Sequence, residues 1–423
     1  MIAEQAGAIE EQAQRALRSL IHAAHQTRDT GAPQIPASVA EPLISEFRHA
    51  IRVGLVQIPR IPGPKHATKQ RPGRDLLEFC RFVARPGCAA RPWQTARAQG
   101  DLMTYVFDEE LVPWLDRVPE VRLFDEASLA AERERMSEML DSIPPYHPSR
   151  SVNVWDTTVS RSAKAPEVPV RVYRPETGEE AAPGLLYIHG GGFVLGNVDM
   201  VHTEVLQIAD EVGAVVVSVD YRLAPEHPFP APIEDCYAAL TWLADHVDEL
   251  GVNRSRLGVA GESAGGGLSA AVALLARDRS GPQLCFQYLG MPQLDDRLDT
   301  PSMKSYLDTP LWNRPNVVFS WTSYLGHGGN LDVSPYAAPA RAEDLSHLPP
   351  AYVATCEFDP LRDEGITYAQ RLLQAGVSTE LHHYPRTFHG SVMIRSARIT
   401  KRMVADARDA LGRGLGVGGV NWR

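Results

Sequence analysis

The sequence predicts an α/β protein with a doubly wound, mostly parallel sheet of eight strands and helices on both faces. Two runs with alternating apolar residues, 152–159 and 168–175, are joined by a polar turn and indicate an opening antiparallel pair. Six short apolar runs follow, and segments with helical periodicity separate them. Strands that alternate with helices in this way pair in parallel and need helical crossovers.

The six expected parallel strands lie at residues 185–189, 214–221, 257–261, 284–289, 351–356 and 379–384. The helices expected between and after them lie at residues 203–212, 233–246, 264–276, 363–375 and 392–411. Before the antiparallel pair, residues 105–115 and 125–140 have the pattern of acidic amphipathic helices. Residues 295–338 contain aromatic side chains but no strand pattern, so we expect an insertion over the carboxyl edge of the sheet, where α/β folds bind ligands.

The first 102 residues differ in character from the remainder. They contain 14 Lys/Arg against 9 Asp/Glu, a net charge of +5, whereas residues 103–423 contain 28 against 43, a net charge of −15. Helical periodicity is visible at residues 1–28 and 39–53, and Pro- and Gly-rich turns follow. Aromatic residues are nearly absent between the basic residues, so we expect no nucleic-acid partner.

The composition indicates a reduced, cytoplasmic protein. Its five cysteines are odd in number and widely spaced, which favours buried thiols over a disulfide framework or a zinc site. No run of 18 apolar residues is present, and the N-terminus lacks a basic start followed by an apolar core. We therefore expect neither a membrane span nor a secretion signal.

A nucleophile is predicted at Ser263, in the turn Gly-Glu-Ser-Ala-Gly (residues 261–265). The turn joins an apolar strand run to a helix rich in small residues. G-x-S-x-G in this context forms a tight elbow that lifts the serine hydroxyl above the sheet, and its glycines avoid clashes. Taken alone, the pattern also fits an ordinary Gly-rich turn.

The run His-Gly-Gly-Gly-Phe (residues 189–193) ends the first parallel strand. Consecutive glycines leave backbone N–H groups free to face an anion. We expect the N–H groups of Gly191 and Gly192, with that of Ala264 beside the nucleophile, to stabilise an oxyanion.

A serine nucleophile needs a base and an orienting carboxylate. Asp359 follows the strand run 351–356, and His389 follows the last strand in a loop. Both therefore lie at the same sheet edge as Ser263. Glu357 competes with Asp359 for the acid, and the pair Asp295 and Asp296 is a further option.

From Met103 onward the chain resembles the hormone-sensitive lipase family of α/β-hydrolase carboxylesterases. The resemblance depends on residues 189–193, 220–230 (Asp-Tyr-Arg-Leu-Ala-Pro-Glu-His-Pro-Phe-Pro), 261–265, 334–336, 359–365 and on His389. It implies an α/β-hydrolase fold with a helical cap, a triad of Ser263, Asp359 and His389, and an oxyanion hole of Gly191, Gly192 and Ala264. It further implies that His189 and Glu262 support the site.

The same resemblance implies a serine carboxylesterase for short- to medium-chain acyl esters that works through an acyl-enzyme without a metal or organic cofactor. The expected substrate is a small-molecule ester. A homodimer through the last strand and helix is common among similar proteins, but this sequence does not determine whether one forms. The alternatives are an amidase or specialised deacetylase with the same triad, and a non-catalytic small-molecule receptor. The receptors similar to this family have lost the base, whereas His389 is present here.

The chain departs from the family pattern at two positions. Glu262 stands where the family commonly has Asp, so its carboxylate reaches one methylene further. Ser391 replaces a bulky apolar residue after His-Gly, which would widen the pocket near the base. Both changes lie within two residues of the predicted nucleophile or base.

The resemblance divides the chain into an N-terminal extension of unknown role (1–102), N-terminal cap helices (103–150) and a catalytic domain (151–423) with a cap insertion near 295–338. Since Met103 resembles a natural start, we expect residues 1–102 to be dispensable. A chain that begins at Met103 should remain soluble and hydrolyse a short p-nitrophenyl ester at the rate of the full chain. Loss of solubility or activity would refute this expectation.

Overall fold

The structure is a computed structural model that describes residues 105–140, 145–160, 166–176, 181–326 and 332–417. Within these ranges eight strands form one sheet in the order β1-β2-β4-β3-β5-β6-β7-β8. β2 runs antiparallel to β1 and β4, and the remaining neighbours are parallel. The predicted fold class is therefore confirmed.

The strands are β1 (Val152–Val159), β2 (Val168–Pro175), β3 (Ala182–Ile188), β4 (Val215–Val219), β5 (Val252–Glu262), β6 (Phe286–Gly290), β7 (Ala351–Phe358) and β8 (Thr379–Phe388). The α-helices of the described residues are α1 (Glu126–Leu140), α2 (His202–Val212), α3 (Ala231–Asp245), α4 (Val247–Leu250), α5 (Ala264–Asp278), α6 (Pro301–Ser305), α7 (Arg314–Leu325), α8 (Arg362–Gln374) and α9 (Arg398–Gly414). Among them, none combines the length and apolarity that a bilayer crossing needs.

The two faces of the sheet are covered by different helices. Leu186 and Val259 belong to an apolar core that includes residues of α3 and α5. Leu185 and Phe286 point to the opposite face and pack with residues of α2 and α9. Because successive side chains alternate between faces, a strand covered on both sides must be apolar throughout, which accounts for the continuous apolar runs of β3 and β4.

One expected element is absent. Residues 105–115 form turns and a short 3-10 helix (Val112–Trp114) instead of an amphipathic α-helix. Pro113 interrupts the pattern, and the segment is held by a tertiary contact, since the N–H of Asp108 donates to the carbonyl of Arg386 at 2.9 Å. Phe107 is buried in an apolar cluster with Phe388 at the end of β8. The expected helix over 125–140 is present as α1, and the helices expected at 1–28 and 39–53 lie outside the described residues.

Helix α1 is tied to the segment that follows the glycine run. The Arg133 guanidinium donates to the carbonyls of Val194 (2.9 Å) and Ala224 (3.0 Å) and pairs with the Glu226 carboxylate at 2.6 Å. A cleft of about 450 Å³ lies here, and its lining includes Arg133, Met136, Gly196, Leu223 and Glu226.

The expected insertion packs over the glycine run. In its described part, 295–326 and 332–338, it contains α6 and α7 and no strand. Tyr324 stacks on Phe193 with ring centroids 4.0 Å apart, and Trp321 lies 5.3 Å from the same ring. The insertion thus anchors the end of the glycine run in an aromatic cluster.

Candidate active site

Ser263 lies at the junction of β5 and α5 in an unusual backbone conformation, with φ of 58° and ψ of −122°. Its N–H donates to the carbonyl of Gly290 at 2.7 Å, and its carbonyl accepts from the N–H groups of Gln293 and Gly267, both at 3.0 Å. A non-glycine residue at positive φ is strained and persists only where its surroundings hold it. The bonds to Gly290 and Gln293 hold the elbow on the end of β6 and the segment after it, and the bond from Gly267 ties it to the first turn of α5.

Gly265 lets the first turn of α5 approach β3. A Cβ at this position would overlap the carbonyl of Ile188, at the end of β3. Any larger residue would push the helix, and Ser263 with it, away from the sheet. The second glycine of the G-x-S-x-G pattern is therefore required by packing.

Ser263, His389 and Asp359 form a hydrogen-bonded chain. The Ser263 Oγ lies 3.0 Å from Nε2 of His389, and Nδ1 of His389 lies 2.7 Å from Oδ2 of Asp359. Asp359 directly follows β7 and His389 directly follows β8, as expected from the sequence. Ser263 is 8% exposed, His389 is 5% exposed and Asp359 is fully buried, so little water competes for these hydrogen bonds.

The competing carboxylates are engaged elsewhere. Glu357 accepts from the backbone N–H of Arg386 at 2.6 Å. Asp295 pairs with Arg297, and Asp296 pairs with Arg341. Asp359 also accepts from the N–H of Leu361 at 2.8 Å, which fixes the carboxylate that faces His389.

The glycine run presents free N–H groups beside Ser263. Gly191 and Gly192 have φ of 121° and 60°, and the carbonyl of Gly191 accepts from Val194 and Leu195. In the described part of the chain, no carbonyl accepts from the N–H of Gly191 or Gly192. Ala264 is the first residue of α5, so its N–H has no intrahelical acceptor. The three predicted donors can therefore bind an incoming anion.

His189 supports this loop without touching the reacting atoms. Its ring is fully buried, and burial lowers its pKa from 6.5 to about 4, so it is neutral at neutral pH. Nδ1 lies 2.8 Å from the carbonyl of Gly190, and the ring stacks on Tyr221 with centroids 4.2 Å apart. The Tyr221 hydroxyl donates to the carbonyl of His189 at 3.0 Å. Together these contacts set the direction of the glycine run.

Glu262 extends its carboxyl over β6, on the face of the sheet covered by α2 and α9. Oε1 accepts from the Tyr288 hydroxyl at 2.8 Å, and the enclosed Oε2 has no hydrogen-bond partner among the described residues. The residue as a whole keeps partial exposure. Burial of the carboxyl raises its pKa from 4.5 to about 7, and the negative charge of Glu204 acts in the same direction.

Trp312 forms a wall of the site. Its ring centroid lies 6.2 Å from that of His389, and its outer ring atom would be 2.5 Å from a Cβ at Gly192. Ser391, the second departure from the family pattern, is fully buried two residues beyond His389.

The sequence identifies Trp312 only as an aromatic residue of the insertion, and nothing in it singles out Tyr288 or Gly290. Their roles arise from register and packing. Within the described ranges no group of three or more His, Cys, Asp or Glu side chains is placed to hold a metal ion.

Comparisons with known proteins show which family this chain is similar to. The family described as "alpha/beta hydrolase fold" matches residues 185–393, a range that includes Ser263, Asp359 and His389. Carboxylesterase NlhH of Mycobacterium tuberculosis (strain ATCC 25618 / H37Rv) is 46% identical over 257 residues, 59% of this chain and 77% of NlhH. Esterase LipI of the same strain is 40% identical over 315 residues, 73% of this chain and 93% of LipI. The solved structure of a bacterial heroin esterase, 45% identical, has a TM-score of 0.70 and covers 73% of this chain and 98% of that chain.

The raised pKa of Glu262 predicts a pH-dependent stability. The folded state binds the proton of the Glu262 carboxyl more tightly than the unfolded chain does. The resulting contribution to the free energy of unfolding is complete below pH 4.5 and is lost as the pH rises through about 7. Glu262→Gln removes the titration, so the melting temperature of the wild type should fall relative to the variant as the pH rises. The full effect is up to roughly 3 kcal/mol. Thermal unfolding of both proteins across this pH range measures it, with exposed Glu249→Gln as the control. A constant difference between wild type and Glu262→Gln would contradict the prediction.

Proposed function

The chain belongs to the hormone-sensitive lipase family of α/β-hydrolase carboxylesterases, and we propose that it hydrolyses esters through an acyl-enzyme formed on Ser263. The observation that carries this proposal is the buried chain Ser263–His389–Asp359, with donor–acceptor distances of 3.0 and 2.7 Å. These three residues supply the three roles that acyl transfer needs, namely nucleophile, base and orienting acid.

In the acylation step, the Ser263 Oγ attacks the ester carbonyl carbon while Nε2 of His389 takes the hydroxyl proton. Asp359 accepts a hydrogen bond from Nδ1–H of His389, which keeps Nε2 unprotonated before attack and stabilises the imidazolium afterwards. The tetrahedral intermediate then expels the alcohol, which takes the proton from His389. The acyl group remains on Ser263.

The negative oxygen of the tetrahedral intermediate faces the N–H groups of Gly191, Gly192 and Ala264. Preorganised donors of this kind contribute about 3 kcal/mol each to transition-state stabilisation. In deacylation, His389 takes a proton from water, the hydroxide attacks the acyl carbon, and the proton returns to the Ser263 oxygen as the carboxylic acid leaves.

We further propose that the substrates carry short to medium acyl chains. Trp312 supports this preference, because its ring stands against Gly192 and within 6.2 Å of the His389 ring centroid. A bulky, buried ring beside the reacting carbonyl limits the length of chain that fits in that direction.

Ser263→Ala tests the nucleophile. Without the hydroxyl no acyl-enzyme forms, so kcat for a short p-nitrophenyl ester should fall by at least about 10⁴-fold. Ser255→Ala, an exposed serine on the same strand, is the matched control. Turnover by Ser263→Ala near the wild-type rate would refute the assignment.

Trp312→Leu tests the pocket wall. Removing ring volume should raise the ratio of kcat/KM for an octanoate over an acetate ester by on the order of tenfold. A panel of p-nitrophenyl esters of increasing chain length measures the ratio, and Trp242→Leu on α3 is the control. An unchanged chain-length profile would show that Trp312 does not set it.

A further inference from the structure

Glu262 and Gly290 share one space beside the nucleophile. The two residues are register partners on the adjacent parallel strands β5 and β6, so positions 262 and 290 face the same side of the sheet. A Cβ built on Gly290 would overlap the Glu262 carboxyl, and all three nearest atoms belong to that carboxyl. The Glu262 side chain therefore occupies the place of a side chain at residue 290.

The same glycine holds the backbone of the nucleophile. The carbonyl of Gly290 accepts the N–H of Ser263 at 2.7 Å, one of the three hydrogen bonds that maintain the positive φ of Ser263. Any shift of Gly290 that relieves a clash with Glu262 would move this acceptor. The position of the Ser263 hydroxyl thus depends on how residues 262 and 290 pack.

Tyr288 completes the arrangement. It lies two residues before Gly290 on β6, on the same face, and its hydroxyl donates to Oε1 of Glu262 at 2.8 Å. Its ring stacks on Tyr352 of β7 with centroids 5.3 Å apart. The carboxyl is thereby fixed at its far end, directly above Gly290.

We infer that Glu262 is a positioning residue that acts through Gly290: its long side chain fits only a glycine partner, and the pair together fixes the backbone of Ser263. This inference rests on the proposed role of Ser263 as nucleophile. It accounts for the departure at residue 262, since a carboxylate one methylene longer than Asp needs a partner strand without a side chain at the facing position.

A double-mutant cycle on residues 262 and 290 tests the inference. Gly290→Ala should lower kcat for a short p-nitrophenyl ester by at least about tenfold with little change in KM, because Ala clashes with Glu262 and displaces the acceptor of the Ser263 N–H. In a Glu262→Asp background the same substitution should cost less than about threefold, because the shorter side chain leaves room for the Cβ. The rate at which a small reactive phosphonate labels Ser263 should follow the same pattern.

Glu262→Gln separates size from charge. Gln has the length of Glu, so Gly290→Ala should cost as much in this background as in the wild type. Gly412→Ala, where nothing lies within 4 Å of an added Cβ, is the matched glycine control and should leave kcat unchanged.

The inference would be overturned if Gly290→Ala lowered kcat by the same factor with Glu262 and with Glu262→Asp. It would also be overturned if Glu262→Gln reduced that loss as much as Glu262→Asp does. Circular dichroism and thermal unfolding report folding in each background. If Gly290→Ala folds only together with Glu262→Asp, the coupling is supported, and failure of both proteins to fold contradicts it. This result can be distinguished from that of the Ser263→Ala experiment. If Ser263→Ala is inactive but the effects of Gly290→Ala and Glu262→Asp on kcat are additive, the proposed mechanism stands and only this inference is wrong.

Discussion

The site depends on the strained backbone of Ser263. A residue at φ of 58° costs about 1–3 kcal/mol, and the surroundings must hold it there. Here the holding contacts come from outside the elbow, because the N–H of Ser263 bonds to Gly290 at the end of β6 and its carbonyl bonds to Gln293 beyond it. The nucleophile is thus placed by the neighbouring strand as much as by its own turn.

Two acidic residues near Ser263 occupy contrasting environments. Asp359 accepts from His389 and from the N–H of Leu361, so its oxygens have donors suited to a carboxylate. Glu262 has one donor, Tyr288, and burial raises its pKa to about 7. The first is suited to orienting a base, whereas the second is a poorly solvated carboxyl that fills the space over Gly290.

Helix α1 and the insertion bring distant parts of the chain to the glycine run. Trp312 packs against Gly192 and faces His389, and Tyr324 stacks on Phe193. Arg133 of α1 binds the carbonyl of Val194, just after the glycine run. The segment with the proposed oxyanion donors and the residues after it therefore contact both α1 and the insertion.

The sequence by itself determined the fold class, the family and the strand-end positions of Ser263, Asp359 and His389. These features follow from local periodicity and from glycine patterns, which neighbouring residues specify. Only the tertiary structure decided that Asp359 and not Glu357 contacts His389, that residues 105–115 are not an α-helix, and that Glu262 packs on Gly290. Each of these depends on strand register or on a contact between residues far apart in the chain, and local periodicity carries no information about which distant side chains meet.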